Sequence, residues 1–149
     1  IFHTKNVELA SQLIEGNFPD YRLIIPRGFK TTAIVNAAAL LKAARQAEIF
    51  AREGNKIVRL NVLSTADESA TLEVSAQSEL TGSSQVALEA SVQGPGLAIA
   101  FNVGFLRDVL EAIHTPNVSL QFNANNAPAL VRPAGGDDFL HVLMPVQLG

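Results

Sequence analysis

Two segments of this chain carry the same pattern, and that repeat restricts the folds open to it. Ala33-Ile34-Val35-Asn36 and Ile99-Ala100-Phe101-Asn102 each end a strand-like run on an asparagine. A leucine follows each asparagine at the fourth position, Leu40 after Asn36 and Leu106 after Asn102. An asparagine at such a boundary can accept a backbone N–H of the first helical turn. The spacing therefore predicts a strand over 29–35, a cap at Asn36 and a helix over 37–51, which is rich in helix formers. Leu40, Leu41, Ala44, Ala47 and Ala51 would form its buried stripe. Lys42, Arg45, Gln46, Ile49 and Arg52 would lie on the other side, with Gly54 as the C′ residue. The second copy predicts a strand over 97–101, a cap at Asn102 and a helix over 103–114, with Val103, Leu106, Val109, Leu110 and Ile113 inward.

Alternating segments follow each helix. Val58, Leu60 and Val62; Leu72, Val74 and Ala76; and Val86, Leu88, Ala90 and Val92 each recur with period two. That is the mark of half-buried antiparallel strands. Turns are expected at 65–68 and 80–83, and Gly94-Pro95-Gly96 closes the first half. Strands over 118–123, 129–132 and 139–143 close the second, joined by turns at Asn125-Asn126 and Gly135-Gly136-Asp137. Each half thus reads strand, helix, strand, strand, strand. Consecutive strands mostly pair with each other. Two such units about a pseudo-two-fold axis place two helices side by side under two antiparallel sheets, an α+β layered domain.

The ends of the chain carry further expectations. Residues 139–148 are an apolar run containing Pro145, which cannot donate to a strand ladder. The last strand should pair up to about Leu143 and then run free with apolar side chains exposed, a place to bind something. At the other end, 1–4 and 7–14 read as two short strands around Lys5-Asn6. A lone hairpin is marginal in water, so this one is expected to belong to a domain mostly absent from the chain. The first residue is Ile, which also suggests a fragment. Residues 16–26 read as a linker docked through Leu23, Ile24 and Ile25.

Composition narrows the function classes. The 149 residues suffice for one domain with a real core. No stretch reaches the length of a membrane span. The absence of cysteine excludes disulfides and thiolate metal sites, and fits a reducing, cytoplasmic setting. A net charge of −3 means that nucleic acid could be held only by a local basic patch. Catalytic constellations are scarce. His3, His114 and His141 lack evident acid partners, and no serine sits in a nucleophile elbow. Gly94-Pro95-Gly96 lacks the lysine and spacing of a phosphate loop. Asp137-Asp138 reads as a solvated turn. No catalytic residue, metal ligand or cofactor is assigned. A binding or scaffold protein is favoured over a layered α+β hydrolase or transferase, and a peptide-binding module unrelated to DNA stays as an alternative.

Residues 11–22, Ser-Gln-Leu-Ile-Glu-Gly-Asn-Phe-Pro-Asp-Tyr-Arg, with 99–103 and the terminal His141-Val142-Leu143-Met144-Pro145-Val146-Gln147-Leu148, resemble the bacterial sliding clamp family, the beta subunit of DNA polymerase III. The resemblance runs over the whole chain in register. It implies that 1–25 are the last hairpin of a preceding clamp domain plus the interdomain linker, and that 26–149 are the C-terminal, third clamp domain. It implies a non-catalytic replication processivity factor, a homodimeric ring in the full-length protein, encircling duplex DNA without sequence preference. Such a ring tethers the replicative polymerase and the clamp loader through linear peptide motifs. The implied peptide pocket uses Pro19, Leu23 and Ile24 from the linker, Asn102 and Phe105 from the start of the second helix, and Met144, Pro145, Val146, Gln147 and Leu148 from the tail. Leu23 and Gln147 stand where many clamps carry a basic side chain, and Phe105 where tyrosine is common. Lys42, Arg45, Arg52 and Arg107 would face DNA, diluted by Glu48, Asp108 and Glu111. Ile49, Phe50, Gln85, Ala87 and Glu89 would form the ring seam, with the strand over 85–92 as its pairing edge.

Overall fold

The computed structural model describes residues 1–52, 55–64, 70–78, 82–136 and 138–147. The expected C′ residue Gly54, the turn at 65–68, the first two residues of the turn at 80–83, Asp137 and Leu148 lie outside them.

The chain opens with a small hairpin, β1 (Phe2–His3) against β2 (Glu8–Leu9). Thr4 closes it: its N–H donates to Val7 O at 2.8 Å, and its Oγ1 accepts from Val7 N at 3.2 Å. The strands are shorter than the sequence suggests, because 10–14 run on without a partner strand and stay exposed. The linker also departs from expectation. It forms a 3-10 turn over Tyr21–Leu23, with Asp20 Oδ1 accepting from the Arg22 N–H at 3.1 Å. The turn is closed on itself and not by packing. Leu23 is 79% exposed and Ile24 is exposed too, so only Ile25 and Pro26 are half-buried.

The repeat is plain in the main body. β3 (Thr31–Asn36), α1 (Ala37–Ala51), β4 (Ile57–Leu63), β5 (Thr71–Ser78) and β6 (Gly82–Gln93) make the first half. β7 (Leu97–Asn102), α2 (Val103–Ala112), β8 (Asn117–Phe122), β9 (Ala129–Pro133) and β10 (His141–Leu143) make the second. Both asparagines cap their helices: Asn36 Oδ1 accepts from Ala39 N at 2.9 Å, and Asn102 Oδ1 from Gly104 N at 2.9 Å. Each helix then sends its first N–H into the opposite half. Ala37 N donates to Pro116 O at 2.9 Å, just before β8, and Val103 N to Lys56 O at 2.8 Å, just before β4. These matched cross-bonds are the pseudo-two-fold axis in chemical form. α2 stops at Ala112, short of the expected end at 114, and Ile113 turns extended ahead of Thr115-Pro116. A helix ends readily here, since the α region is disfavoured immediately before a proline.

All sheet pairings are antiparallel, in the order β10-β9-β8-β3-β6-β5-β4-β7. The meanders β4-β5-β6 and β8-β9-β10 match the expectation of sequential pairing. The leading strand of each half, however, crosses over: β3 pairs with β8, and β7 pairs with β4. Strand β6 serves both sides. Residues 82–89 pair with β5, and residues 90–93 pair with β3.

The helices cover one face of this sheet. α1 buries Ala37, Leu40, Ala43, Ala44, Ala47 and Ala51, a stripe of mostly small side chains, while Leu41 is only half-buried. α2 adds Val103, Leu106, Val109 and Leu110, and Ile113 beyond its end is buried as expected. Leu60, Leu72, Ile99, Phe101, Leu120 and Phe122 meet them from the sheet with almost no exposure. Removing each such side chain from water stabilises the fold by about 1.5–3 kcal/mol. Gly94 turns the chain out of β6 at φ +98°, where an added Cβ would run into the Lys30 carbonyl oxygen. The same corner is tied by Thr31 Oγ1 donating to Pro95 O at 2.6 Å.

Candidate functional site

Strand β10 pairs through His141↔Val131, Val142↔Leu130 and Leu143↔Ala129, and there the ladder stops. Beyond it Met144 is 60% exposed, Pro145 and Val146 are half-buried and Gln147 is exposed. The tail does not run entirely free, which corrects the sequence expectation. The Val146 N–H donates to Ala100 O at 2.8 Å, so one bond ties it to β7 after the proline. Ala100 shortly precedes the Asn102 cap, and the tail therefore lies along the start of α2. Phe105, in the first turn of that helix, is 61% exposed. Met144, Val146, Asn102 and Phe105 thus share one end of the domain. Pro19, Leu23 and Ile24 are exposed in the linker, and the hydrogen bonds described for residues 20–24 stay inside their own turn.

The cationic residues singled out on the helices divide into two kinds. Lys42 and Arg52 are both exposed, and among the described residues no carboxylate pairs with either. Arg45 Nη2 donates to Glu111 Oε1 at 3.0 Å, an exposed bridge from α1 to α2. Arg107 is fully engaged and only partly exposed. Its Nη1 donates to both Glu48 oxygens at 2.6 and 2.8 Å, its Nη2 to Asp108 Oδ1 at 2.8 Å, and its Nε lies 3.8 Å from Glu111 Oε1. The Asp108 hydrogen bond first, then those from Glu48, hold its pKa above the ordinary arginine range. Charge-assisted bonds of this geometry are strong, so Arg107 is a clamp between the helices and not a free cation. Sequence spacing could not show this, because Glu48 and Arg107 are 59 residues apart and meet only through the helix packing.

The residues assigned to the seam also divide. Ile49 is 67% exposed, whereas Phe50 is half-buried against the core. Gln85 is exposed on β6, as are Ala87 and Glu89 to a greater or lesser degree. The edge expectation for 85–92 holds in part. Residues 82–89 pair on one side only, with β5, but from Ala90 onward the strand is covered by β3. A strand that changes sheets has a free side only before the change.

Among the described residues, no group of three or more His, Asp or Glu side chains is placed to hold a metal ion. His3 Nδ1 lies 3.6 Å from Glu8 in the exposed hairpin, and His114 is exposed just beyond α2. A feature with no signal in the sequence is an open cleft of about 640 Å³ between the start of α1 and the end of α2, bordered by Leu41, Arg45, Leu110, His114 and Pro116.

Comparison with known proteins bears on this geometry. Residues 22–147 match the family described as DNA polymerase III beta subunit, C-terminal domain. The beta sliding clamp of Synechococcus elongatus is 33% identical over 148 residues, 99% of this chain and 39% of that protein. That of Bacillus subtilis is 31% identical over 149 residues, again 99% of this chain and 38% of the relative. Among solved structures, a DNA polymerase sliding clamp from Pseudomonas aeruginosa superposes with a TM-score of 0.83 at 32% identity, over 93% of this chain and 36% of that one. The beta subunit of DNA polymerase III from Thermotoga maritima also gives 0.83, at 27% identity, over 91% and 35%. The chain spans about two fifths of the length of the curated relatives it matches. With its duplicated β-α-β-β-β halves, its paired helices and its match over residues 22–147, the chain belongs to the family formed by the C-terminal domain of the DNA polymerase III beta subunit.

Proposed function

We propose that this chain is the C-terminal part of a replication processivity clamp, a non-catalytic ring protein that encircles duplex DNA and tethers the replicative polymerase. Residues 1–25 are the last hairpin of the preceding domain and the linker, and residues 26–149 are the clamp domain itself. The partners are the replicative polymerase and the clamp loader, each through a linear peptide, and double-stranded DNA through its phosphates. The full-length protein is a homodimeric ring working in the cytoplasm without a cofactor. No helix among the described residues is long and apolar enough to cross a membrane.

One observation supports the peptide site above the others: the tail leaves the β10 ladder after Leu143 with Met144 exposed, and Val146 bonds to Ala100, shortly before the helix turn that carries the exposed Phe105. An apolar groove with few polar groups suits the leucine and phenylalanine side chains of a short motif. Asn102 supplies a polar edge and Pro145, Val146 and Gln147 prolong the floor; Leu148, outside the described residues, and Pro19, Leu23 and Ile24 of the linker are assigned to the same pocket by the family resemblance. For the seam, Ile49 and the free side of 82–89 are the contact surface, with Phe50 as its inner support.

Removal of residues 144–148 from the full-length protein tests the assignment. The deletion takes away one tail bond to the sheet, worth about 1 kcal/mol, so the melting curve should shift only slightly. Binding of a fluorescent peptide carrying the leucine–phenylalanine motif should be abolished. An unchanged dissociation constant rules out the pocket. Retention on circular duplex DNA separates a clamp from a peptide-binding module unrelated to DNA, because only a closed ring is released by linearising the circle.

A further inference from the structure

We propose that Glu111 is a built-in competitor of the DNA phosphates, an intramolecular anion that limits how tightly the helix pair grips duplex. The proposal rests on the reading that α1 and α2 face the DNA. Along those helices stand the cations Lys42, Arg45, Arg52 and Arg107 and the carboxylates Glu48, Asp108 and Glu111, and the ion pairs among them run through Arg45 and Arg107. The carboxylates do different work. Glu48 holds Arg107 with two short bonds in a partly buried setting, where losing one partner would leave the other uncompensated. The Arg45–Glu111 bridge is a single bond at 3.0 Å between side chains 59% and 43% exposed. An exposed pair of that kind is worth little and exchanges readily with a competing anion.

Glu111 Oε1 lies within reach of both arginines, at 3.0 Å from Arg45 Nη2 and 3.8 Å from Arg107 Nε. A phosphate approaching Arg45 therefore has to displace this carboxylate, and the displaced carboxylate stays beside it and repels it. The pair contributes almost no net attraction, leaving Lys42 and Arg52 as the cations that draw in the backbone. Weak contacts of this kind fit a ring that must move along DNA.

The experiment uses the full-length ring and a short duplex, with binding followed over a salt series. Glu111→Gln keeps the size of the side chain and removes its charge, and a melting curve verifies the fold. It should tighten binding about two- to fivefold at low salt, the range set by the worth of an exposed pair. The slope of log K against log salt should steepen by roughly 0.9 per arginine released. Adding Arg45→Ala should cancel the gain. The double variant Lys42→Ala/Arg52→Ala should weaken binding. If that double variant weakens binding while Glu111→Gln leaves it unchanged, the role of Glu111 is overturned and the DNA-facing reading stands. A gain that survives Arg45→Ala also overturns it, because the effect would not run through that arginine. If none of the variants changes binding, the DNA-facing reading fails and the proposal falls with it.

Discussion

Replacing Asn36 and, separately, Asn102 by alanine removes the same group from two matched helix starts. Each loses a side-chain oxygen that accepts a backbone N–H at 2.9 Å. Loss of such a cap costs about 1 kcal/mol, within a range of about 0.5–2. The two sites differ in what replaces the lost acceptor. Asn36 is exposed, and water can reach the freed Ala39 N–H. Asn102 is half-buried and serves Gly104, close under the tail, so the freed N–H is less easily solvated. Asn36→Ala should therefore cost about 1 kcal/mol and Asn102→Ala about 1.5 kcal/mol. For a chain of this size these are melting shifts of roughly 2–4 °C and roughly 3–6 °C. Denaturant titration should show lowered midpoints at an unchanged slope, since neither variant alters the surface exposed on unfolding. In the full-length protein the pair separates function from stability. Asn102→Ala should weaken binding of the motif peptide, and Asn36→Ala should not. A cost near zero for Asn36→Ala would refute the equivalence of the caps. Equal losses of peptide binding would refute the placement of the groove at the start of α2.

The glycines of the turns give a sharper contrast in stability. Gly94 sits at φ +98° with the Lys30 carbonyl in the way of any Cβ. Its replacement by alanine should destabilise by more than about 3 kcal/mol, read from the denaturant midpoint. Gly135 sits at φ +82° with nothing within 4 Å of the added atom. Alanine there should cost only about 1–2 kcal/mol in the same titration. Ile49 is exposed, so Ile49→Asp should leave the isolated chain nearly as stable as the parent. The expected change is less than about 0.5 kcal/mol. The same substitution should convert the full-length ring to monomers in sedimentation velocity, and a ring that stays closed removes Ile49 from the seam.

Local signals in the sequence were enough for the elements of the fold. Asparagine caps, helix formers and period-two alternation act over a few residues, and they located both helices and the strands of the two meanders. What they could not carry was the exchange between halves. The pairing of β3 with β8 and of β7 with β4 depends on the axis relating the repeats, and a repeat says that an axis exists without saying which edges it brings together. The same limit explains Arg107. On α2 alone it reads as a solvated cation with Asp108 beside it, and only the packing of α1 brings up Glu48 to engage the guanidinium. Leu23 and Ile24 failed for another reason. Apolar composition implied docking, but the surface that would cover these side chains is not presented to them by this chain.

The asymmetry between the halves follows from one residue. In the first half, β6 continues past its pairing with β5 and supplies residues 90–93 to β3, closing that edge with a run of register pairs. In the second half His141–Leu143 pair with β9, as 82–89 pair with β5, and where the strand would continue onto β7 the chain meets Met144-Pro145. Proline has no N–H to give to β7, and it biases the preceding residue toward extended or turn conformations. Val146 recovers a bond, to Ala100. Among the described residues the free edge of β7 is consequently held by that bond, where the edge of β3 is held by a strand. Without that difference the two halves would bury both ends alike. A full-length variant carrying Pro145→Val restores the missing donor and the β propensity. It should extend the pairing of the tail along β7, raise the melting temperature and weaken peptide binding by withdrawing Met144 from the groove. Amide exchange at 145–147 reads the first effect directly. Exchange that stays as fast as in the parent would refute the claim that the proline keeps this edge open.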